Sequence, residues 1–268
     1  MRNWLLTGYN AIAYAFLLAP IAVVIAMSFT SGNTLAFPPD GWSLRWFAYL
    51  ARRDEFLTAT LVSLQVAGLA SAGAVALGLP ASLALTRGAF RGKPVVESAL
   101  MSPMILPGII TGVALLQYFT VVGLVRSFDR LVLAHLVICL PYAIRSISAS
   151  LGGIDPSFEE ASRTLGASQL RTFVKIVLPL LKPGIAAAFI FSFVTSFDNI
   201  VVSIYLIGAD TVTLPIRILT YLEWQFDPSI AAISAIFVVS TVVLITLVET
   251  LTGISGRPRP DSPNAPST

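Results

Sequence analysis

Cysteine, histidine and charge are all scarce in this chain, and each shortage removes a class of protein. Cys139 is the sole cysteine, so neither an internal disulfide nor a multi-cysteine zinc or iron–sulfur centre can form. His135 is the sole histidine. It shares a helix face with Cys139 four residues on, but two ligands do not close a metal site, and packing or a polar contact between helices is the simpler role. No metal site and no catalytic constellation are expected. A phosphate-binding loop is missing too: Gly88 to Lys93 has the wrong spacing and is followed by proline where a magnesium-binding serine or threonine should stand. Charged residues make up 12% of the chain against 56% hydrophobic ones, with a mean hydropathy of +0.83. That balance excludes a water-soluble globular domain. The formal charge of +3 and pI near 9.2 do not point to nucleic acid, because the basic residues are scattered between apolar runs.

What is present is a set of long apolar segments. A helical crossing needs roughly 20 residues, so a chain of 268 residues supplies about six crossings with short connections. The sequence predicts an all-α membrane protein with six transmembrane helices in one domain, residues 1–252, and a disordered cytoplasmic tail over 253–268, rich in proline and small polar residues. The first span is Tyr9 to Phe29, too long for a secretory signal core and read as uncleaved. A polar connection follows, with a surface helix over Ser43 to Arg53 whose Trp46, Phe47 and Tyr49, with Trp42 just ahead, suit a membrane interface. The second span, Phe56 to Leu85, carries Gly68, Gly73 and Gly78 for close packing and a bend near Pro80. The third, Val95 to Val122, contains Pro103, Pro107 and the pair Gly108 and Gly112, which suits either close packing or a dimerising face. The fourth is Leu131 to Leu151, the fifth Pro183 to Ile207 and the sixth Ile230 to Leu251. No internal repeat is visible.

Between the fourth and fifth spans, about residues 152–182, lies a polar interruption. Asp155 can cap a helix opening at Pro156, with Phe158, Ala161 and Leu165 on one face and Glu159 paired to Arg163 at i, i+4. Gly166 suits a positive backbone angle ending that helix. After Ser168 a second helix places Leu170, Phe173, Val174 and Val177 on its apolar side and Arg171 and Lys175 opposite.

Glu160-Ala161-Ser162, then Gly166, then Ile176-Val177-Leu178-Pro179 resembles the cytoplasmic coupling loop of the permease subunits of bacterial ABC importers. Ser162 replaces the alanine usual there, and is itself small enough for close helix approach. The segments Phe37 to Phe47, Ser196 to Ser203, Thr213 to Ile218 and Phe226 to Ala235 extend the resemblance to the spermidine/putrescine branch. The resemblance implies the type I ABC importer permease fold, with Glu160, Ala161, Ser162, Gly166, Ile176, Leu178 and Pro179 coupling to an ATPase. It also implies a second permease subunit, two ATP-binding subunits that hold ATP and magnesium, and an extracytoplasmic solute-binding protein. This chain needs no cofactor of its own and is not an enzyme. Branches importing opines, aminoethylphosphonate, ferric iron or thiamine carry similar segments.

With the loop in the cytoplasm, eleven basic residues lie on that side and six outside, the bias expected of an inner-membrane protein with both termini cytoplasmic. Asp198 stands out inside the fifth expected span, beside Asn199. An ionised carboxylate at mid-membrane costs roughly 2.5–3.5 kcal/mol, so it should face water or protein. It fits a solute pathway for a cation or zwitterion, or, with Asn199 assisting, the cap of a broken helix or a bond to a neighbouring helix. An ATP-independent secondary transporter using Asp198 is the competing class, but such proteins usually carry internal repeats and more spans.

Overall fold

The computed structural model describes residues 2–224 and 227–252. Eleven α-helices occur among them: α1 (Arg2–Ser28), α2 (Arg45–Ala51), α3 (Asp54–Arg87), α4 (Lys93–Ile105), α5 (Gly108–Val121), α6 (Ser127–Gly152), α7 (Ser157–Thr164), α8 (Gln169–Thr172), α9 (Leu178–Phe197), α10 (Leu214–Trp224) and α11 (Ser229–Thr252). The described residues form no strand. The expected tail over 253–268 lies outside them.

Among the described residues, four unbroken stretches are long and apolar enough to cross a membrane: Leu6–Ser28, Asp54–Arg87, Ser127–Gly152 and Gln169–Phe197. The α1 stretch is almost wholly exposed, as a lipid-facing helix should be. The sixth expected span coincides with α11. The third does not run straight. It breaks at Leu106-Pro107 into α4 and α5, a bent pair, because Pro107 drives the residue before it out of the helical region. Leu106 accordingly sits at φ −73°, ψ 140°. Pro80 and Pro141, by contrast, are accommodated inside uninterrupted helices.

The fifth expected span is displaced. Its helix begins at Gln169 and stops at Phe197 instead of Ile207. Asn199 ends the run by turning its side chain onto the backbone: its Oδ1 accepts from the Val202 N–H at 2.9 Å, and its carbonyl accepts from Ser203 Oγ at 2.5 Å. Asparagine competes with helix in this way wherever a turn is possible. The connection expected over Gly208 to Pro228 also proves partly helical, since it contains α10.

The chain forms two compact units. The first comprises residues 1–67, 108–134 and 197–242. Its core joins Trp46, Leu50, Phe56, Leu214, Tyr221 and Ile233. Ser63 Oγ accepts from the Leu214 N–H at 2.8 Å, satisfying a backbone donor at the start of α10 that has no partner within the helix. Asp227 opens α11 by accepting from the Ser229 N–H at 2.9 Å and the Tyr221 hydroxyl at 2.6 Å. Both members of the expected glycine pair pack closely inside this unit. A Cβ at Gly112 would come within 2.7 Å of the Tyr205 ring and 3.3 Å of Val202 Cα, and one at Gly108 within 3.0 Å of Val201 Cγ1.

The second unit comprises residues 68–107, 135–196 and 243–268, the last only as far as 252 among the described residues. Leu151, Ile154, Val177 and Leu181 form its core, with Leu79, Leu83, Phe173 and Ile185 packed around them. Gly73 and Gly78 lie against Leu136 and Ala143 of α6 as expected, whereas Gly68 faces open space. α6 and α9 also exchange polar contacts. His135 Nδ1 lies 2.7 Å from Ser196 Oγ, and one turn along Cys139 Sγ donates to the Ser192 carbonyl at 3.1 Å. The lone histidine and lone cysteine are thus an interhelical pair of contacts, which is the simpler role read from their spacing.

Candidate coupling loop and solute pathway

The loop after α6 folds as two short helices around a glycine. Asp155 Oδ1 accepts from the Ser157 N–H at 2.8 Å, so the helix starts at Ser157, one residue past the proline. That hydrogen bond holds the Asp155 carboxyl below its ordinary range. Glu159 pairs with Arg163 at 3.8 Å across one turn. Gly166 takes φ +79°. Its N–H bonds the Arg163 carbonyl and the Ala167 N–H reaches back to Ser162, the double closure of a glycine-ended helix. Ser168 then caps α8, accepting from the Arg171 N–H at 3.3 Å.

Ser162 does more than replace an alanine. Its hydroxyl lies 3.0 Å from that of Thr172, which is buried, tying α7 to the turn that begins the next helix. From Phe173 to Val177 the helix widens to a single π-turn, in which the Leu178 N–H reaches the Phe173 carbonyl. The cause lies just beyond. Pro179 has no N–H and its ring crowds the carbonyl of Lys175, four residues back, and a wider turn relieves both defects. The Ile176-Val177-Leu178-Pro179 end of the motif is therefore the place where the π-turn passes into α9.

The two apolar faces expected here divide by burial. Phe173 and Val177 turn into the core with Leu151 and Leu181. Phe158, Leu165, Leu170 and Val174 remain exposed, Leu165 at 87%, and Ala161 and Gly166 lie exposed among them. Leaving a leucine or phenylalanine in water forgoes roughly 1.5–3 kcal/mol each. These apolar side chains are left uncovered on a loop that also carries the charged residues Glu160, Arg163 and Arg171.

One residue that holds this loop carries no local signal. Arg87, at the end of α3, donates to the Ile154 carbonyl at 2.9 Å and the Leu151 carbonyl at 3.5 Å, and its guanidinium stands 3.3 Å from Glu159. These partners are more than sixty residues away in sequence, which is why it reads in the sequence only as one more basic residue.

Asp198 is not inside a span, as expected from the sequence, but at the C-terminal end of one. It follows Phe197 directly and is exposed, whereas Asn199 is committed to its turn. An exposed carboxylate at a helix C-terminus, the negative end of the helix dipole, makes a locally negative patch. The loop and the break occupy separate units of the chain.

The fold and the loop define a polytopic all-α membrane protein with an exposed helix–turn–helix between two of its spans. The chain belongs to the family of binding-protein-dependent transport system inner membrane components, whose model matches residues 2–257, and is a multi-pass permease component with the type I ABC importer permease fold. It is 33% identical over 251 residues to the spermidine/putrescine transport system permease protein PotC of Haemophilus influenzae, covering 94% of this chain and 97% of that one. It is 32% identical over 232 residues to the putrescine transport system permease protein PotI of Escherichia coli, covering 84% and 82%. Among solved structures, a bacterial alginate ABC transporter in complex with its pentasaccharide-bound periplasmic protein shares the fold with a TM-score of 0.71 at 16% identity, over 94% of each chain. The MetNI methionine ABC transporter, in an inward-facing conformation, gives 0.62 at 17% identity over 79% of this chain and 98% of that one.

Proposed function

We propose that this chain forms half of the translocation pathway of an ATP-driven polyamine importer. A second permease subunit completes the pathway, two ATP-binding subunits dock on the loop and carry ATP and magnesium, and an extracytoplasmic binding protein delivers the solute. The observation that carries the coupling role is the exposed apolar face of Phe158, Ala161, Leu165 and Leu170, on a loop with the family's spacing of Glu160, Gly166 and Pro179. Glu160, Ala161, Ser162 and Gly166 form the plug, and Ile176, Leu178 and Pro179 join it to α9. The polyamine assignment is supported by the names of the relatives and by Asp198, which offers negative charge to a cation at the end of α9.

The loop and both termini are assigned to the cytoplasm, in keeping with eleven basic residues against six. Asn199 shapes the break and Asp198 meets the solute. The test is initial-rate uptake of labelled putrescine and spermidine into proteoliposomes holding the whole complex with its binding protein. ATP-dependent uptake of either supports the proposal. Uptake without ATP would assign the chain to the secondary transporters, and uptake of an opine, aminoethylphosphonate, ferric iron or thiamine in place of polyamines would overturn the solute.

A further inference from the structure

We propose that Glu159 and Arg87 are positioning residues that carry movement of the loop into α3 and α4, a reading that rests on the docking role given above to that loop. Glu159 stands directly ahead of Glu160-Ala161-Ser162, and the two glutamates divide. Glu160 is exposed, whereas the Glu159 side chain keeps only 18% of its surface and lies 3.3 Å from the Arg87 guanidinium. Arg163 approaches the other Glu159 oxygen at 3.8 Å, so the carboxylate is held from its own helix and from α3 at once.

The backbone joins the loop to α6 before it and, through the π-turn, to α9 after it. It gives no such link to α3. Leu79 and Leu83 of α3 pack around the core that includes Ile154 and Val177, but apolar contact is non-directional. Among the described residues, the hydrogen bonds and ion pair that join α3 or α4 to residues 151–172 all belong to Arg87. Its planar guanidinium holds the Leu151 and Ile154 carbonyls and the Glu159 carboxylate together, which fixes orientation as well as distance.

From Arg87 the path into the membrane helices is stiff. α3 lies close against α6 at Gly78, where a Cβ would come within 3.0 Å of Ala143 Cβ, and at Ser82, whose hydroxyl donates to the Ile144 carbonyl at 3.0 Å. Lys93, the first residue of α4, donates to the carbonyl of Gly88, the residue after Arg87, at 3.3 Å. Coupling is carried by rigid elements joined through such contacts. A displacement of Glu159 therefore reaches the ends of two helices that the backbone of the loop does not serve.

The test compares wild type with Glu159→Gln, which keeps both carbonyl bonds of Arg87 and removes only the charge pair. The whole complex with its binding protein is placed in proteoliposomes, and ATP hydrolysis and putrescine uptake are measured in one preparation. Amide exchange is followed in parallel, in detergent, with and without ATP and vanadate. In wild type, trapping the nucleotide should alter exchange both at residues 155–166 and at residues 84–88. In Glu159→Gln the response at 155–166 should persist and that at 84–88 should shrink, with uptake per ATP hydrolysed about fivefold lower, equivalent to the roughly 1 kcal/mol of a partly exposed ion pair, and ATPase subunits co-purifying at wild-type level. Arg91→Gln, which removes an exposed charge from the same connection between α3 and α4, should match wild type throughout. A wild-type response at 84–88 together with wild-type uptake per ATP in Glu159→Gln would overturn the linkage. So would loss of ATPase co-purification in that variant, which would give Glu159 to the docking face. The exchange measurement does not depend on the solute, and its failure to respond at 155–166 in wild type would overturn the docking role itself and the linkage with it.

Discussion

Arg87 and Glu159 meet at 3.3 Å, joining the last residue of α3 to the first turn of α7. The same guanidinium satisfies two carbonyls at the end of α6, so one side chain fixes where the loop leaves the second unit. Hydrogen bonds from a charged donor are worth about 1.5–3 kcal/mol. Arg87→Gln should therefore let residues 155–166 open locally, with amide exchange there about tenfold faster, the equivalent of 1.4 kcal/mol. Exchange at wild-type rate would remove the latch role.

Gly166 sits at φ +79°, a region that costs an ordinary residue about 1–2 kcal/mol and a β-branched one more. Gly166→Val should tilt the loop and lower ATP-driven uptake at least about tenfold, while expression and membrane insertion persist. Normal uptake with ATPase subunits co-purifying at wild-type level would contradict the docking role.

Exposed apolar residues predict where contact occurs. Replacing Leu165 by glutamate puts a charge where a partner should bury a leucine, which costs the roughly 1.5–3 kcal/mol of that burial and more for the buried charge. Co-purification of the ATPase subunits should fall sharply, with this subunit's own melting unchanged. Undiminished co-purification would place the docking face elsewhere.

Topology is open to labelling. In a Cys139→Ser background, cysteine at Asp210 should react with an impermeant maleimide in intact spheroplasts, and cysteine at Ser168 only after the membrane is opened. Cys139 is buried, so little background is expected from it in any case. The opposite pattern would invert the orientation.

Asp198→Asn keeps size and hydrogen bonding but removes charge. Attraction between unit charges 4 Å apart is about 4 kcal/mol at an effective dielectric of 20, so losing a part of it should cut polyamine uptake at least about tenfold. Assembly should be unaffected, because the turn is held by Asn199 and not by Asp198. Wild-type uptake would make the charge dispensable, and failed assembly would make it structural.

The sequence by itself determined the class of protein and the local chemistry of the loop. Apolar runs of membrane-crossing length cannot remain in water, and the Asp155 cap, the Glu159–Arg163 pair and the positive angle at Gly166 depend only on neighbours within a few residues. Tertiary structure decided what depends on distant neighbours or on rivalry between local options. Hydropathy alone ran the fifth span on to Ile207 and left Asp198 inside it, because it cannot see Asn199 closing a turn. It carried the third span through Pro107 as readily as the second through Pro80, although only Pro107 breaks its helix. Arg87 could not be singled out, since its partners lie far along the chain, and neither could Ser162, whose hydroxyl finds Thr172 only once the loop has folded back. Which of Phe158, Leu165, Phe173 and Val177 would be buried was likewise undecided by periodicity, for a helix has an apolar face whether or not the protein covers it. Packing against Leu151 and Leu181 took Phe173 and Val177 and left Phe158 and Leu165 uncovered.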